Sequence, residues 1–355
     1  MKRIVLTGGG TAGHVTPNIA LLPKLYDLGY DVHYIGSYNG IEKTLIESCQ
    51  VPYYGISSGK LRRYFDLKNF SDPFKVLKGF SEAYKLLKKL KPDVVFSKGG
   101  FVSVPVVIAA GRLHIPVVIH ESDMTPGLAN KLSIPSASKV CCNFPETMNH
   151  LPKGKAVLSG SPIRQELLSG DRKKALKFTG LTGEKPVLLI IGGSLGSVVV
   201  NEAVRSILPK LLKKFEIIHL CGKGKLDHSL SAMNGYVQYE YISDELKDLF
   251  ALSDIVISRA GANSICEFLA LRKPALLIPL SAAASRGDQI LNAQSFKKQG
   301  YAAVLEEEQL SGDTLYDALS DLWENRDSYV SAMEASPMGD SIETITNLLE
   351  ELVAN

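Results

Sequence analysis

Each thing this sequence lacks removes a class of protein. The five cysteines, Cys49, Cys141, Cys142, Cys221 and Cys266, form no C-x-x-C pair, and an odd number does not build a secreted disulfide framework. A reducing compartment, the cytoplasm, is expected. No uninterrupted apolar run approaches the length of a spanning helix, and the opening Met1 to Thr7 reaches Gly8 after too few apolar residues for a signal-peptide core. Any membrane contact should be peripheral. A net charge of +3 is too small to imply a nucleic-acid partner, though it leaves room for a local basic patch. No D-x-D motif offers carboxylates to a metal-bound diphosphate, so helix amides and an arginine would have to offset such a charge. Neither a metal nor a cofactor is expected.

What is present is a long chain with ample apolar content. At 355 residues and 45% hydrophobic, it can bury a large core and is long enough for two domains. Short β-rich runs alternate with helical patterns, the signature of parallel βαβ architecture. The first set of strands is expected at 3–7, 32–35, 94–97, 117–120 and 139–142, and the second at 187–191, 216–220, 237–241, 255–258 and 275–279. Each set opens with a strand that runs into a glycine-rich turn and then a helix, at Gly8 to Gly13 and at Gly192 to Gly196. Two mononucleotide-binding halves follow. The stretch Leu151-Pro152-Lys153-Gly154-Lys155, followed by Gly160-Ser161-Pro162, reads as the hinge. Residues 1–160 and 161–340 are therefore expected as two Rossmann-like domains, with 341–355 a docked helix on the spacing of Ile342, Ile345, Leu348, Leu349 and Leu352.

Chemistry concentrates where strands end. Gly8-Gly9-Gly10-Thr11-Ala12-Gly13 satisfies G-x-G-x-x-G after a strand, but the second strand ends Tyr34-Ile35-Gly36-Ser37-Tyr38 without the acid that a dinucleotide's ribose needs. The turn still aims N–H groups at a phosphate. His14 follows at the helix mouth, where it reads either as a general base with a pKa of about 6.5 or as a helix-start hydrogen-bonding residue. Ser97-Lys98-Gly99-Gly100 is a second turn on the same sheet edge, either half of a diphosphate cradle or a bare connection. His120-Glu121-Ser122-Asp123 closes an apolar strand, and two acids and a histidine there are costly to desolvate without purpose. In the second half, Gly192-Gly193-Ser194 offers amides to a diphosphate, and Ser258 to Glu267 is a small-residue turn opening a helix. Glu267 could accept both hydroxyls of a ribose or simply face the helix dipole. Polar residues from Ser281 to Gln289 complete that edge.

Between Lys60 and Phe80, the basic residues Lys60, Arg62, Arg63, Lys68, Lys75 and Lys78 interleave with Tyr64, Phe65, Phe70, Phe74, Leu77 and Phe80. The composition suits an anionic membrane surface, and equally a core-facing helix with a solvated basic side.

Taken together, Gly8 to His14, Lys98 to Ser103, His120-Glu121, Gly160 to Arg164, Gly192 to Ser194 and Gly261 to Glu267, in this order and spacing, closely resemble the MurG family of peptidoglycan N-acetylglucosaminyltransferases. The likeness spans essentially the whole chain. It implies an inverting enzyme of the GT-B fold, two Rossmann-like domains with parallel sheets facing a central cleft. It also implies transfer from UDP-GlcNAc to the C4 hydroxyl of lipid I, the polyprenyl-pyrophosphate-linked muramoyl acceptor, at the cytoplasmic face of the plasma membrane. Carried over by position, Thr11, Ala12, Gly13, Asp123, Arg164, Ser194, Ile242, Ala262, Asn263, Ser264, Ile265, Cys266, Glu267 and Gln289 would bind the donor. Gly10, Gly99 and Gly100 would hold the acceptor, and His14 and Glu121 would be catalytic. Rival readings are a transferase acting on another glycolipid, an epimerase of UDP-GlcNAc, and a non-catalytic nucleotide-sugar binder. The chain departs from the family at Ala12, Ser122-Asp123 and Ser161. Ala12 limits how closely a phosphate approaches, and Asp123 puts a charge where an amide would donate to the sugar.

Overall fold

A parallel strand covered on both faces has no polar side to spare, so its residues alternate between two apolar layers. The computed structural model of the protein describes residues 1–59, 72–193, 196–282, 287–338 and 340–354, with the side chains of 72–74 set aside. It divides into two compact units, Met1–Arg164 with Met338–Asn355, and Gln165–Pro337.

The first unit carries β1 (Lys2–Thr7), β2 (Tyr30–Ser37), β3 (Tyr53–Ile56), β4 (Val94–Ser97), β5 (Val117–Glu121), β6 (Lys139–Cys142) and β7 (Ala156–Leu158). They form one parallel sheet in the order β3-β2-β1-β4-β5-β6-β7. Alternation is clean along β1. Ile4 and Leu6 enter one core with Val15 and with Leu21 and Leu25 of the helix Thr16–Asp27 that follows it, while Val5 enters the other with Ala83, Leu87 and Val106. The C-terminal helix Ser341–Ala354 closes the first of these cores with Ile342, Ile345, Leu348 and Leu349. Glu350 at its far end pairs with Lys2 and accepts the Tyr30 hydroxyl at 2.6 Å.

The second unit carries β8 (Val187–Ile191), β9 (Glu216–Leu220), β10 (Tyr236–Tyr239), β11 (Ile255–Ser258), β12 (Ala275–Leu277) and β13 (Ala302–Val304), all parallel in the order β10-β9-β8-β11-β12-β13. Both sheets reverse direction of winding beside their first strand, at β1/β4 and β8/β11. In open α/β sheets, a ligand crevice lies outside the strand ends at that point.

The α/β reading with two parallel sheets is borne out, and the sequence reading missed three strands, β3, β7 and β13. Each is an edge strand three or four residues long. An edge strand of that length borrows its conformation from its neighbour, so its own periodicity says little.

The helix Asp72–Leu90 buries Ala83, Leu87 and Leu90, and Phe80 packs partly buried against Tyr84 on the same side. Phe80 therefore belongs to the core rather than to a surface patch. Leu77 stays 66% exposed beside Lys75 and Lys78. Lys60, Arg62, Arg63, Tyr64, Phe65, Lys68 and Phe70 lie outside the described residues. Among the described residues no helix is long and apolar enough to cross a membrane.

Candidate active site

The crevice of the first unit is made by two turns in contact. Gly8 to Gly10 leaves β1 and Lys98 to Gly100 leaves β4, tied by Lys98 N–H donating to Thr7 C=O at 2.9 Å. A Cβ on Gly100 would come within 2.3 Å of the Gly9 carbonyl oxygen, so only glycine lets the turns touch. Thr11 and Ala12 are exposed at the rim, with Gly13 half-buried beside them.

His14 ends the short turn Ala12–His14 and is half-buried. Its Nδ1 lies 3.1 Å from the Gly9 carbonyl oxygen and 3.2 Å from Thr11 Oγ1. A carbonyl can only accept, so Nδ1 carries the proton and the lone pair is on Nε2. Burial, and then the Lys98 ammonium, pull the imidazole down to about 4 against the weaker opposing effects of the Gly9 hydrogen bond and then the Glu42 charge. At neutral pH the ring is uncharged and able to accept a proton. Lys98 itself is buried at 1% exposure and donates to Ser122 Oγ.

Glu121 takes a different part. Its Oε1 accepts Asp123 N–H at 2.9 Å, and its Oε2 accepts Gly127 N–H at 2.9 Å and Asn130 Nδ2 at 2.8 Å. The buried carboxylate organises the loop after β5 and presents Asp123 half-exposed. His120, fully buried, donates from Nε2 to the Gly160 carbonyl at 2.8 Å, which ties β5 to the segment leading to Arg164. Desolvation, then Lys98, hold it neutral, well below the ordinary imidazole range.

The second unit builds its crevice from helix ends and one arginine. Gly192 and Gly193 follow β8, and Ser197 caps the helix Val198–Ser206. The helix Ala262–Ala270 follows β11 from Gly261, with no side chain capping its first amides. Uncapped N–H groups at a helix start attract anions. Arg259 spans the strand ends: Nη2 donates to Ser197 Oγ at 2.7 Å, Nη1 to the carbonyls of Ile278 and Pro279 at 3.1 and 3.3 Å, and the guanidinium pairs with Glu307. Gln289 Oε1 accepts Leu280 N–H at 3.1 Å, and Asn292 Nδ2 donates to the Ala260 carbonyl at 3.2 Å.

Of the expected donor residues in this unit, Ala262, Asn263, Ser264 and Glu267 are half-buried after β11, and Gln289 is half-buried after the neighbouring β12. Ile265 and Cys266 point into the core, so they can offer only backbone. Ile242 follows β10 at the sheet edge, two strands from β8. Ser194 lies outside the described residues. The sequence reading also passed over Glu42 and Glu307, two acids that belong to no motif: Glu42 accepts the Gly10 N–H, and Glu307 pairs with Arg259.

Comparison with known proteins gives the chain its relatives. Residues 4–142 match the glycosyltransferase family 28 N-terminal domain and residues 187–350 the glycosyltransferase family 28 C-terminal domain. A curated protein of Lachnospira eligens is 66% identical over 99% of both chains, and one of Clostridium perfringens is 58% identical over 98% of both. Both carry the name UDP-N-acetylglucosamine--N-acetylmuramyl-(pentapeptide) pyrophosphoryl-undecaprenol N-acetylglucosamine transferase. The crystal structure of Acinetobacter baumannii MurG superimposes with a TM-score of 0.76 at 26% identity, covering 99% of this chain and all of that one.

Proposed function

This chain belongs to glycosyltransferase family 28, and from that premise we propose that it transfers N-acetylglucosamine from UDP-GlcNAc to the C4 hydroxyl of the muramoyl sugar of lipid I, with inversion, in peptidoglycan synthesis. The observation that carries this reading is identity of about two thirds, end to end, with a curated lipid I transferase. It disfavours the epimerase and the non-catalytic binder. The second unit holds UDP: amides opening Val198–Ser206 and Ala262–Ala270 face the diphosphate, and Glu267 accepts the ribose hydroxyls. In the first unit Gly10, Gly99 and Gly100 receive the acceptor pyrophosphate, and His14 Nε2 takes the proton of the attacking hydroxyl. A bound pyrophosphate opposes the field of Lys98 and raises His14 toward its working range.

We assign Glu121 to holding its loop rather than to proton transfer, because its oxygens are already occupied by three donors. The protein works at the cytoplasmic face of the membrane, held peripherally by the basic and apolar segment from Lys60 to Lys78, of which Leu77 is an exposed apolar member. The test is UDP release with and without a soluble lipid I analogue. Acceptor-dependent release supports the transferase, and release that ignores the acceptor refutes it.

A further inference from the structure

Glu42 opens the second turn-and-helix of the first unit, on the helix Ile41–Ser48, and is 1% exposed. Its Oε1 accepts Ser37 N–H at 3.1 Å and Ser37 Oγ–H at 2.5 Å, and its Oε2 accepts Gly10 N–H at 3.2 Å. Three chain segments make room for it. A Cβ on Gly9, Gly36 or Gly40 would fall 2.5, 2.9 or 2.2 Å from Glu42 side-chain atoms. Burial works to raise this carboxyl, but the Ser37 hydroxyl and the amides win and hold it below the usual range, so it is charged at neutral pH. A buried charge costs several kcal/mol unless it is fully hydrogen-bonded, and an apolar residue would fill the space more cheaply.

The use of that charge lies in one peptide plane. The N–H that Glu42 Oε2 receives belongs to Gly10, and the carbonyl that His14 Nδ1 approaches belongs to Gly9, so both are ends of the same trans peptide. In a planar trans peptide these two groups point in opposite directions and cannot turn independently. Fixing the N–H fixes the carbonyl, and the carbonyl sets which nitrogen of His14 bears the proton. An anion on the N–H also polarises the peptide and strengthens the bond at its other end.

We propose that Glu42 is a positioning residue for His14, acting through the Gly9–Gly10 peptide to hold the ring with its Nε2 lone pair presented to the acceptor. The inference rests on the reading of His14 as the base.

The experiment is a double-mutant cycle on the full chain, measured as single-turnover transfer to a lipid I analogue, with UDP affinity as the check that the second unit is folded. Glu42→Gln keeps the shape and gives up the charge; it should lower turnover about 10- to 100-fold, the range for outer-shell partners, with the donor Kd unchanged. In a His14→Ala background the same substitution should cost less than about 2-fold, because there is no ring left to orient. An equal loss in both backgrounds, or a Glu42→Gln protein with normal turnover, overturns the proposal. Should Glu42→Gln fail to fold, Ser37→Ala, which removes one of the donors to Oε1, replaces it with a smaller loss and the same dependence on His14. Failure of the underlying reading is seen separately, as a His14→Ala protein that keeps wild-type turnover.

Discussion

The two sheets share one strand order over six strands, with β7 added at the edge of the first, and differ in what lies beneath their glycine turns. In the first unit the crevice is underlain by buried charge, with Glu42 and Lys98 exerting opposite fields on a half-buried His14. In the second it is underlain by a guanidinium whose donors go to strand ends and a helix cap. The switch point supplies a place for a ligand in each case, and the residues under the turn decide its use. An imidazole between opposing charges can be tuned for proton transfer once a bound anion offsets the ammonium, whereas small-residue turns at helix starts suit holding an anion. On this account the first unit does the chemistry and the second keeps the nucleotide.

The sharpest break between the halves should appear at His14. His14→Ala should lower turnover roughly 100- to 10,000-fold, the range for a positioned general base, as read from single-turnover transfer. Near-normal turnover would return the crevice to a binding role. Next in size is the C-terminal helix, which belongs to the first unit's core alone. Leu349 is fully buried there, and Leu349→Ala should destabilise that unit by about 2–5 kcal/mol while the UDP-binding transition of the second unit stays put. A single shared shift in a UDP-monitored melt would mean the units unfold as one.

A smaller effect should separate the halves from the other side. Glu267→Ala should weaken UDP binding by about 1–3 kcal/mol through loss of charge-assisted ribose contacts, with little change in turnover at saturating donor. An unchanged dissociation constant would move Glu267 to a dipole-facing role. Acid should reveal the buried histidines. His219 in the second unit lies between Tyr236 and Asn201, each at 2.9 Å, and burial, then Arg205, hold it at about 3. Unfolded, it takes up a proton near pH 6.5, so protonation favours the unfolded chain as pH falls from there toward 3. Between pH 6.5 and 5.5 this group alone should cost about 1 kcal/mol of stability, and His219→Asn should flatten that slope in urea titrations.

The layout of the fold was legible because buried parallel strands are apolar runs and the turns after β1, β4, β8 and β11 are written in glycine. The edge strands β3, β7 and β13 were not, since pairing with a neighbour makes them strands at all. The glycine turns, and the place of His14 just beyond the first of them, could be read from spacing alone. Glu42 could not, because its partners Gly10 and Ser37 lie 32 and 5 residues away and no motif joins them. Its trace is three glycines, Gly9, Gly36 and Gly40, which read as turns until the carboxylate among them is seen. Glu121 shows the opposite limit: an acid at a strand end looks reactive in the sequence, and the three donors that occupy its oxygens are invisible in one dimension.

The division of labour between the halves is tested most directly by the UDP dissociation constant of the His14→Ala protein, measured by calorimetric titration alongside the wild type. The account predicts two values within about 2-fold of each other, since the loss should lie in the rate and not in nucleotide binding. A dissociation constant weakened in proportion to the lost turnover would contradict it, and would place His14 among the groups that hold the donor.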